Sequence, residues 1–570
     1  MSSSEDTASR VRELPLTIEA EAPRARERRW PDYLLLTFIA IVCSLTAFLY
    51  YWHTGELLLY GDAVAHLNIG RRVLDSRLPG LFQFGTVWLP LPHLLMQPFI
   101  WSTWMWKTGL AGSIPSMFAF VAGVVGIFRL VRHGMASIPN NEHASRVSAW
   151  FAAMVCALNP NLLYLQATAM TESIYLAAFV WATVFLSEFR LHLLQGNDPQ
   201  AQRSLVGTGF FLLLGIMTRY DGWFTAVVYA IVALLLLISA SRQSGLEPLH
   251  FIHERSWRRA LIAFIILLAI FPIGWFWFNK KEFKDPLAFV RGPYSARGIE
   301  ARTRQAGQPH HPGWNAPSVG ATYFVKSAKL NMATTERSER IWIYAAVLGS
   351  VFVLGFIRPL SAWLLLWIPV PFYAISIAWG GVPIFMPVWW PFSYYNVRYG
   401  TQLLPAFAAF GAVLLFLFLR RFRSRKIKLA FIVAGFLFVL TSYVNVWRAV
   451  PICLQEARVN SRDRIVLEKQ LSAYLPTLPT DSTILMFIGQ HGGALQSIGF
   501  PLKRTINECQ KRIWGSALFS PARMADFVIA TDGDPVSNAI KANPEGLQKI
   551  AEFTAPRQSS ISVYRSSLHQ

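Results

Sequence analysis

Apolar runs of roughly 20 residues recur from residue 31 to residue 447, the length a helix needs to cross a hydrocarbon core of about 30 Å. Charge is scarce: 15% of the 570 residues are Asp, Glu, Lys or Arg, 53% are hydrophobic and 14% aromatic, and the mean hydropathy is +0.35. A soluble domain carries about 25% charged residues, so water is not the main solvent here. The formal net charge of +21 does not point to nucleic acid. Much of the excess sits in short links between apolar runs, where it sets orientation, and no basic patch of fold size lies elsewhere. The expected class is a polytopic α-helical membrane protein.

Residues 1–29 are polar and charged, with Arg24, Arg26, Arg28 and Arg29 just before the first run. They are expected to be a disordered cytoplasmic N-terminus, and no cleavable signal peptide is visible. The apolar runs are 31–52, 89–108, 110–128, 148–164, 173–189, 204–217, 222–240, 260–278, 341–357, 360–380, 399–419 and 429–447. Run 89–108 holds Pro90, Pro92, His93, Gln97, Pro98 and Lys107, a poor composition for a lipid-facing helix. If it does not cross, then Arg129, Arg132, Arg146, Arg190, Arg203, Arg242, Arg255, Arg258, Arg259, Arg358 and the cluster from Arg420 to Lys428 all fall on the cytoplasmic side. That pattern predicts about eleven transmembrane helices plus an interfacial region, with the C-terminus extracytoplasmic.

The expected domains are a transmembrane catalytic unit over 30–449 and a small extracytoplasmic α/β unit over 450–570. Within the first lie an extracytoplasmic loop, 53–88, and a long segment, 279–340, expected to be a mobile loop or lid. The tail shows a helical stretch near 456–474 and strand-like runs at 483–488, 527–530 and 561–564. It carries no phosphate-loop or dinucleotide fingerprint, and the chain has no internal repeat. Four cysteines are too few for a disulfide scaffold or a cysteine metal site. Cys43 and Cys156 lie in apolar runs and read as packing residues. Cys453 and Cys509 lie in the tail and can pair only if the fold brings them close.

The stretch Leu59–His93, LYGDAVAHLNIGRRVLDSRLPGLFQFGTVWLPLPH, carries polar residues that a loop of its length does not need. Asp62 and His66 are four apart and share a face on a helix. Arg71 and Arg72 lie two turns further on, and Trp88 and His93 close the stretch beside Pro90 and Pro92. The predicted topology gathers three more segments on the same side: Glu172 in ATAMTESIY, Arg219 and Asp221 in MTRYDGW, and Arg398 and Tyr399 in YYNVRYG. Acidic residues at span ends are costly to keep and often functional. The candidate catalytic carboxylates are therefore Asp62, Glu172 and Asp221. The candidate substrate contacts are His66, Arg71, Arg72, Trp88, His93, Arg219, Arg398 and Tyr399.

Plainer roles exist for each. Asp62 can cap the helix AVAHLNIGRRVLD, and Glu172 and Asp221 can start their spans. Arg219 and Asp221 can form a local ion pair. His66 can be interfacial packing. Arg71 and Arg72 can be interfacial anchors or phosphate partners. His310 and His311 are a weak metal signal.

These segments resemble the GT-C superfamily of membrane glycosyltransferases, in particular its protein O-mannosyltransferase and aminoarabinose-transferase branch. Asp62 in LYGDAVAHL matches the family's catalytic acid in the first extracytoplasmic loop. ATAMTESIY, MTRYDGW and YYNVRYGTQLLPAFA are similar to later elements between spans, and the likeness covers about 30 to 450. Many members carry a paired acid in the first loop. Here Ala63 follows Asp62, so Asp62 acts alone or Glu172 or Asp221 supplies the second carboxylate.

The resemblance implies transfer of a sugar, a mannose-like hexose, from a polyprenyl-phosphate donor to a hydroxyl acceptor on a protein, glycan or lipid, at the outer face of a bacterial or archaeal cell membrane. A weakly nucleophilic hydroxyl needs a base, for which Asp62 is expected. A phosphate leaving group needs cations more than an acid. No cofactor is certain, and a divalent cation is left open. The alternatives are an O-antigen-ligase-like or polymerase-like glycan enzyme, and a non-catalytic transporter or flippase, which calls for repeat symmetry and charges at mid-membrane.

Overall fold

The computed structural model describes residues 30–138, 141–243, 245, 247, 250–303, 307–356 and 358–569. The expected disorder of 1–29 lies outside the described residues. The bundle runs through α1 (Trp30–His53), α2 (Gly61–Arg72), α3 (Leu91–Ile100), α4 (Thr103–Thr108), α5 (Leu110–Ala136), α6 (Glu142–Ala157), α7 (Pro160–Gln166), α8 (Glu172–Leu194), α9 (Asp198–Ile216) and α10 (Tyr220–Gln243). It continues through the single turn α11 (His250–His253), then α12 (Arg255–Phe283), α13 (Ala288–Arg291), α14 (Ala296–Thr303), α15 (Pro317–Leu330), α16 (Glu336–Phe356), α17 (Pro369–Trp379), α18 (Leu404–Arg421) and α19 (Arg425–Arg448).

At 1.5 Å per residue the 24 residues of α1 extend about 36 Å, enough to cross. Among the described residues nine helical segments have the length and apolar content of a span, or ten if α6 and α7, bent by 60°, count as one. The protein is thus an integral, multi-pass membrane protein. The one expected span not among these is run 204–217, within α9, whose polar first turns, DPQAQR, shorten its apolar stretch. Residues 91–108 form two short helices, α3 and α4, with Ser102 capping α4 through Met105 N. Neither is long enough to cross.

α8 is the central helix, buried along most of its length. Gly126 of α5 lets that helix approach it, since a Cβ there would lie 2.9 Å from Val180 Cγ1 and 3.0 Å from Trp181 Nε1. α7 starts on a cap, Asn159, whose side chain accepts from Leu162 N at 2.9 Å, with Pro160 at the first helical position.

The segment 279–340, expected to be a mobile loop or lid, carries helices. It contains the end of α12, then α13, α14 and α15, and α16 begins at Glu336. α15 is held by an apolar face of Gly320, Phe324 and Ala328, spaced four apart, with Phe324 stacked on Tyr373 at 4.5 Å.

The tail begins with α20 (Ile452–Tyr474) and folds around a five-stranded sheet of order β2-β1-β3-β5-β4. These strands are β1 (Ile484–Met486), β2 (Thr505–Ile506), β3 (Phe527–Thr531), β4 (Leu547–Phe553) and β5 (Ile561–Ser566). β2, β1 and β3 are parallel, while β5 and β4 are antiparallel, with Val528 opposite Tyr564 and Ile529 opposite Val563. One face packs Leu485, Val528, Val536 and Ile540; the other turns Ile484, Met486, Ile529 and Val563 into the main core. Cys453 and Cys509 do not pair: both are free, and the Cys453 thiol lies 3.2 Å from Asn331 Oδ1.

Candidate active site

Three helix starts and one turn converge at one end of the bundle. Asp62 lies in the first turn of α2, Glu172 in that of α8 and Asp221 in that of α10. Each carboxylate is favoured there by the positive end of its helix. Opposite them, Asn396 adopts a left-handed conformation (φ 57°) and turns the chain into the 3-10 helix Val397–Leu403, which carries Arg398. An Asn tolerates that conformation better than most residues.

Arg398 is the hub. Its Nη2 donates to Asp62 Oδ2 at 2.6 Å, Nε to Glu172 Oε1 at 3.2 Å, and Nη1 to Glu456 Oε1 at 3.1 Å. Its guanidinium lies over the rings of Tyr60 and Tyr399, 5.1 and 5.0 Å from their centroids. Arg219 is the second cation. Its Nε donates to Asp221 Oδ2 at 3.1 Å and Nη1 to Glu172 Oε1 at 3.4 Å. Nη2 donates to Tyr373 Oη at 3.1 Å, and the Tyr399 ring lies 4.7 Å away. Gln402 completes this half, donating to Asp221 Oδ2 at 2.6 Å and to Tyr373 Oη at 2.7 Å.

Four carboxylates thus share two guanidiniums. They differ in access: the Asp62 side chain is 41% exposed, whereas Glu172 and Glu456 are at 1% and Asp221 at 4%. Of the four, Asp62 is the one a molecule entering from outside can reach. Glu172 Oε2 is buried and has no hydrogen-bond partner.

His66 and His93 form a buried pair beside the hub, with His66 Nδ1 2.9 Å from His93 Nε2 and the His66 ring against Trp88 at 4.7 Å. Burial pushes the His66 imidazole down to about 4; the Asp62 charge opposes this and Arg219 and Arg398 add to it. Burial holds His93 well below the usual imidazole range, with His66 and Arg72 adding to the shift. Both rings are neutral at pH 7, and each has one N–H to donate.

Of the residues singled out in the sequence, Asp62, Glu172, Asp221, Arg219, Arg398 and Tyr399 meet in this cluster, and His66, His93 and Trp88 flank it. Arg71 and Arg72 are engaged elsewhere. Arg71 donates to the carbonyls of Ile100 at 3.0 Å and Trp101 at 2.7 Å and pairs with Asp75, tying α2 to α3 and α4. Arg72 reaches the carbonyl of Gln83 at 3.4 Å. Their spacing from Asp62 turns them off the face that Asp62 and His66 share. His310 stacks on Trp314 at 4.2 Å, and His311 faces Glu300 at 3.3 Å. Among the described residues no group of three or more His, Cys, Asp or Glu side chains is arranged to hold a metal ion.

Sequence reasoning missed Glu456, Tyr60, Tyr373 and Gln402. Glu456 stands in PICLQEARV, just past the last span. It has the same signal as the other acids, a carboxylate close to a span end, but a domain boundary drawn at 450 sets it apart from them.

No protein-family model matches the chain, and no curated protein sequence matches it. Solved structures do. ArnT from Cupriavidus metallidurans bound to undecaprenyl phosphate superposes with a TM-score of 0.53 at 9% identity, covering 93% of this chain and 99% of that one. The apo form of the same protein gives 0.52 at 11%, covering 96% and 99%. An Archaeoglobus fulgidus oligosaccharyltransferase complexed with Zn and sulfate gives 0.46 at 11%, covering 91% and 72%. At these identities the ArnT likeness is one of fold, and it extends over the bundle and the tail together.

Proposed function

We propose that this chain, which has the GT-C fold, is a membrane glycosyltransferase. It moves a sugar, a mannose-like hexose, from a polyprenyl-phosphate donor to a hydroxyl acceptor, with Asp62 as general base. The observation that carries the proposal is the meeting of Asp62 with Arg398, 336 residues apart in sequence, at 2.6 Å with Asp62 still partly open. The undecaprenyl phosphate in the ArnT structure supports the choice of donor.

Asp62 takes the proton of the acceptor hydroxyl as its oxygen attacks the anomeric carbon. The bond from that carbon to the phosphate oxygen breaks, and the phosphate leaves with the electron pair. One base and one displacement give inversion. Arg398 and Arg219 supply positive charge to the departing phosphate. Glu172 and Asp221 are buried and bound to the arginines, so their part is to hold those cations in place. His66, His93 and Trp88 form the wall beside Asp62, and His66 offers a neutral polar edge to a sugar hydroxyl.

An extracytoplasmic site is supported by charge. Arg129, on α5, pairs with Glu188 at 2.8 Å. Glu188 lies 16 residues along α8 from Glu172, about 24 Å at 1.5 Å per residue. The basic ends of α5, α10 and α18 and the starts of α12 and α19 supply the positive-inside signal.

The test is turnover of a panel of polyprenyl-phosphate sugars by the purified protein and by Asp62→Asn in detergent. Turnover by the wild type that Asp62→Asn abolishes supports the transferase and its base together. Turnover kept by Asp62→Asn moves the base to Glu172 or Asp221. No turnover of any donor by well-folded protein refutes the proposal and leaves a flux assay for a transporter as the next measurement.

A further inference from the structure

The tail reaches into the site through one side chain. Glu456, on the second turn of α20, uses both oxygens twice. Oε1 accepts from Asn396 N at 2.7 Å and from Arg398 Nη1 at 3.1 Å. Oε2 accepts from Tyr60 Oη at 3.2 Å and from Arg398 N at 3.3 Å. A carboxylate serving only as a cap for the 3-10 helix would stop at the two backbone amides. This one also takes an edge of the Arg398 guanidinium and the hydroxyl of one of the two tyrosines that face it.

We infer that Glu456 is a positioning residue that sets the orientation of Arg398 and the share of its charge that reaches Asp62. The inference rests on the transferase proposal and adds the tail to its machinery. An arginine side chain is long and loses much rotamer freedom when held. Here Nε, Nη1 and Nη2 each meet a different carboxylate, and only the Nη2 partner, Asp62, is open to an incoming molecule. Glu456 and Glu172 hold the guanidinium from behind while Nη2 faces Asp62. They also draw on its charge, so Asp62 feels only part of it.

The sign of the effect follows. Removing the Glu456 charge makes the surroundings of Asp62 more positive and makes its carboxylate a weaker proton acceptor. The measurement is kcat/KM against pH for wild type, Glu456→Gln and Glu456→Asp. Glu456→Gln is expected to lower kcat about tenfold, to change the donor KM by less than about threefold, and to move the acid limb of the profile to lower pH. Glu456→Asp keeps the charge and is expected to keep the limb where the wild type has it. A Glu456→Gln limb at the wild-type pH overturns the inference, whatever happens to kcat.

A second measurement needs no turnover. The thermal midpoints of wild type, Glu456→Gln, Arg398→Met and the double variant form a cycle. The expected result is that Glu456→Gln costs less in the Arg398→Met background than in the wild type. Additive losses overturn the link between the two residues. If the wild type turns over no donor, the transferase proposal fails while the cycle still decides whether Glu456 holds Arg398. If Glu456→Gln does not fold, the cycle is run with Glu456→Asp, with the same two outcomes.

Discussion

Asp62→Asn and Glu172→Gln each remove one carboxylate from the same arginine, yet they should separate activity from stability. The Glu172 side chain is 1% exposed and partners both Arg398 Nε, at 3.2 Å, and Arg219 Nη1, at 3.4 Å. Both cations keep other carboxylates, so the loss is that of two buried charge-assisted hydrogen bonds, about 3–5 kcal/mol together. With an unfolding entropy of about 2.1 cal/mol/K per residue over 570 residues, that loss lowers the midpoint by about 2.5–4 °C. The Asp62 side chain is 41% exposed, so its pair is screened and worth at most about 1 kcal/mol, or less than about 1 °C. Purified variants in one detergent, heated and read by size exclusion, give the two shifts; donor turnover gives the second axis. Asp62→Asn should lose turnover at a nearly unchanged midpoint, and Glu172→Gln should lose several degrees. A midpoint drop for Asp62→Asn as large as that for Glu172→Gln would refute the assignment of one as reactive and the other as supporting.

Other expected outcomes follow from particular contacts. Below pH 6.5 an unfolded chain takes a proton that the folded His66, held to about 4 by burial, refuses. Stability present above pH 6.5 is therefore lost as the pH falls toward 4, by up to about 3 kcal/mol for this group, and a His66→Asn melting series across that window should be flatter than the wild type's. Gly400→Ala places a Cβ 2.5 Å from Ala328 N and against the Ser327 carbonyl, two residues beyond Arg398. The strain should cost about 1–3 kcal/mol and lower turnover with no charge removed, measured as midpoint and kcat together. Burial pushes the Cys509 thiol up to about 12, and both tail cysteines are free. Reductant should leave the mobility of the protein on a denaturing gel unchanged, and a maleimide at pH 7 should label Cys509 only after unfolding.

The sequence by itself determined the membrane class, the positions of the spans and the identity of most of the cluster. Those are local properties. Twenty apolar residues have few other stable environments, and an acid or an arginine at a span end stands out against them. For the same reason α6 with α7, α8 and α10 were legible, and so were β3 and β5 from their short apolar runs. The helices inside 279–340 were harder to read, because α15 is amphipathic only over the single face that meets Tyr373.

Only the tertiary structure decided which charges meet. Arg71 and Arg72 are near Asp62 in sequence, but on α2 they lie off its face and bond to Trp101 and Gln83. Arg398, 336 residues away, holds Asp62 instead. It decided as well that Glu456 of the tail belongs to the site and that Asp62 is the open carboxylate of the four. A buried charge must find its counter-charge wherever the packed helices bring one, and which helix ends converge is a property of the whole bundle that no single segment encodes.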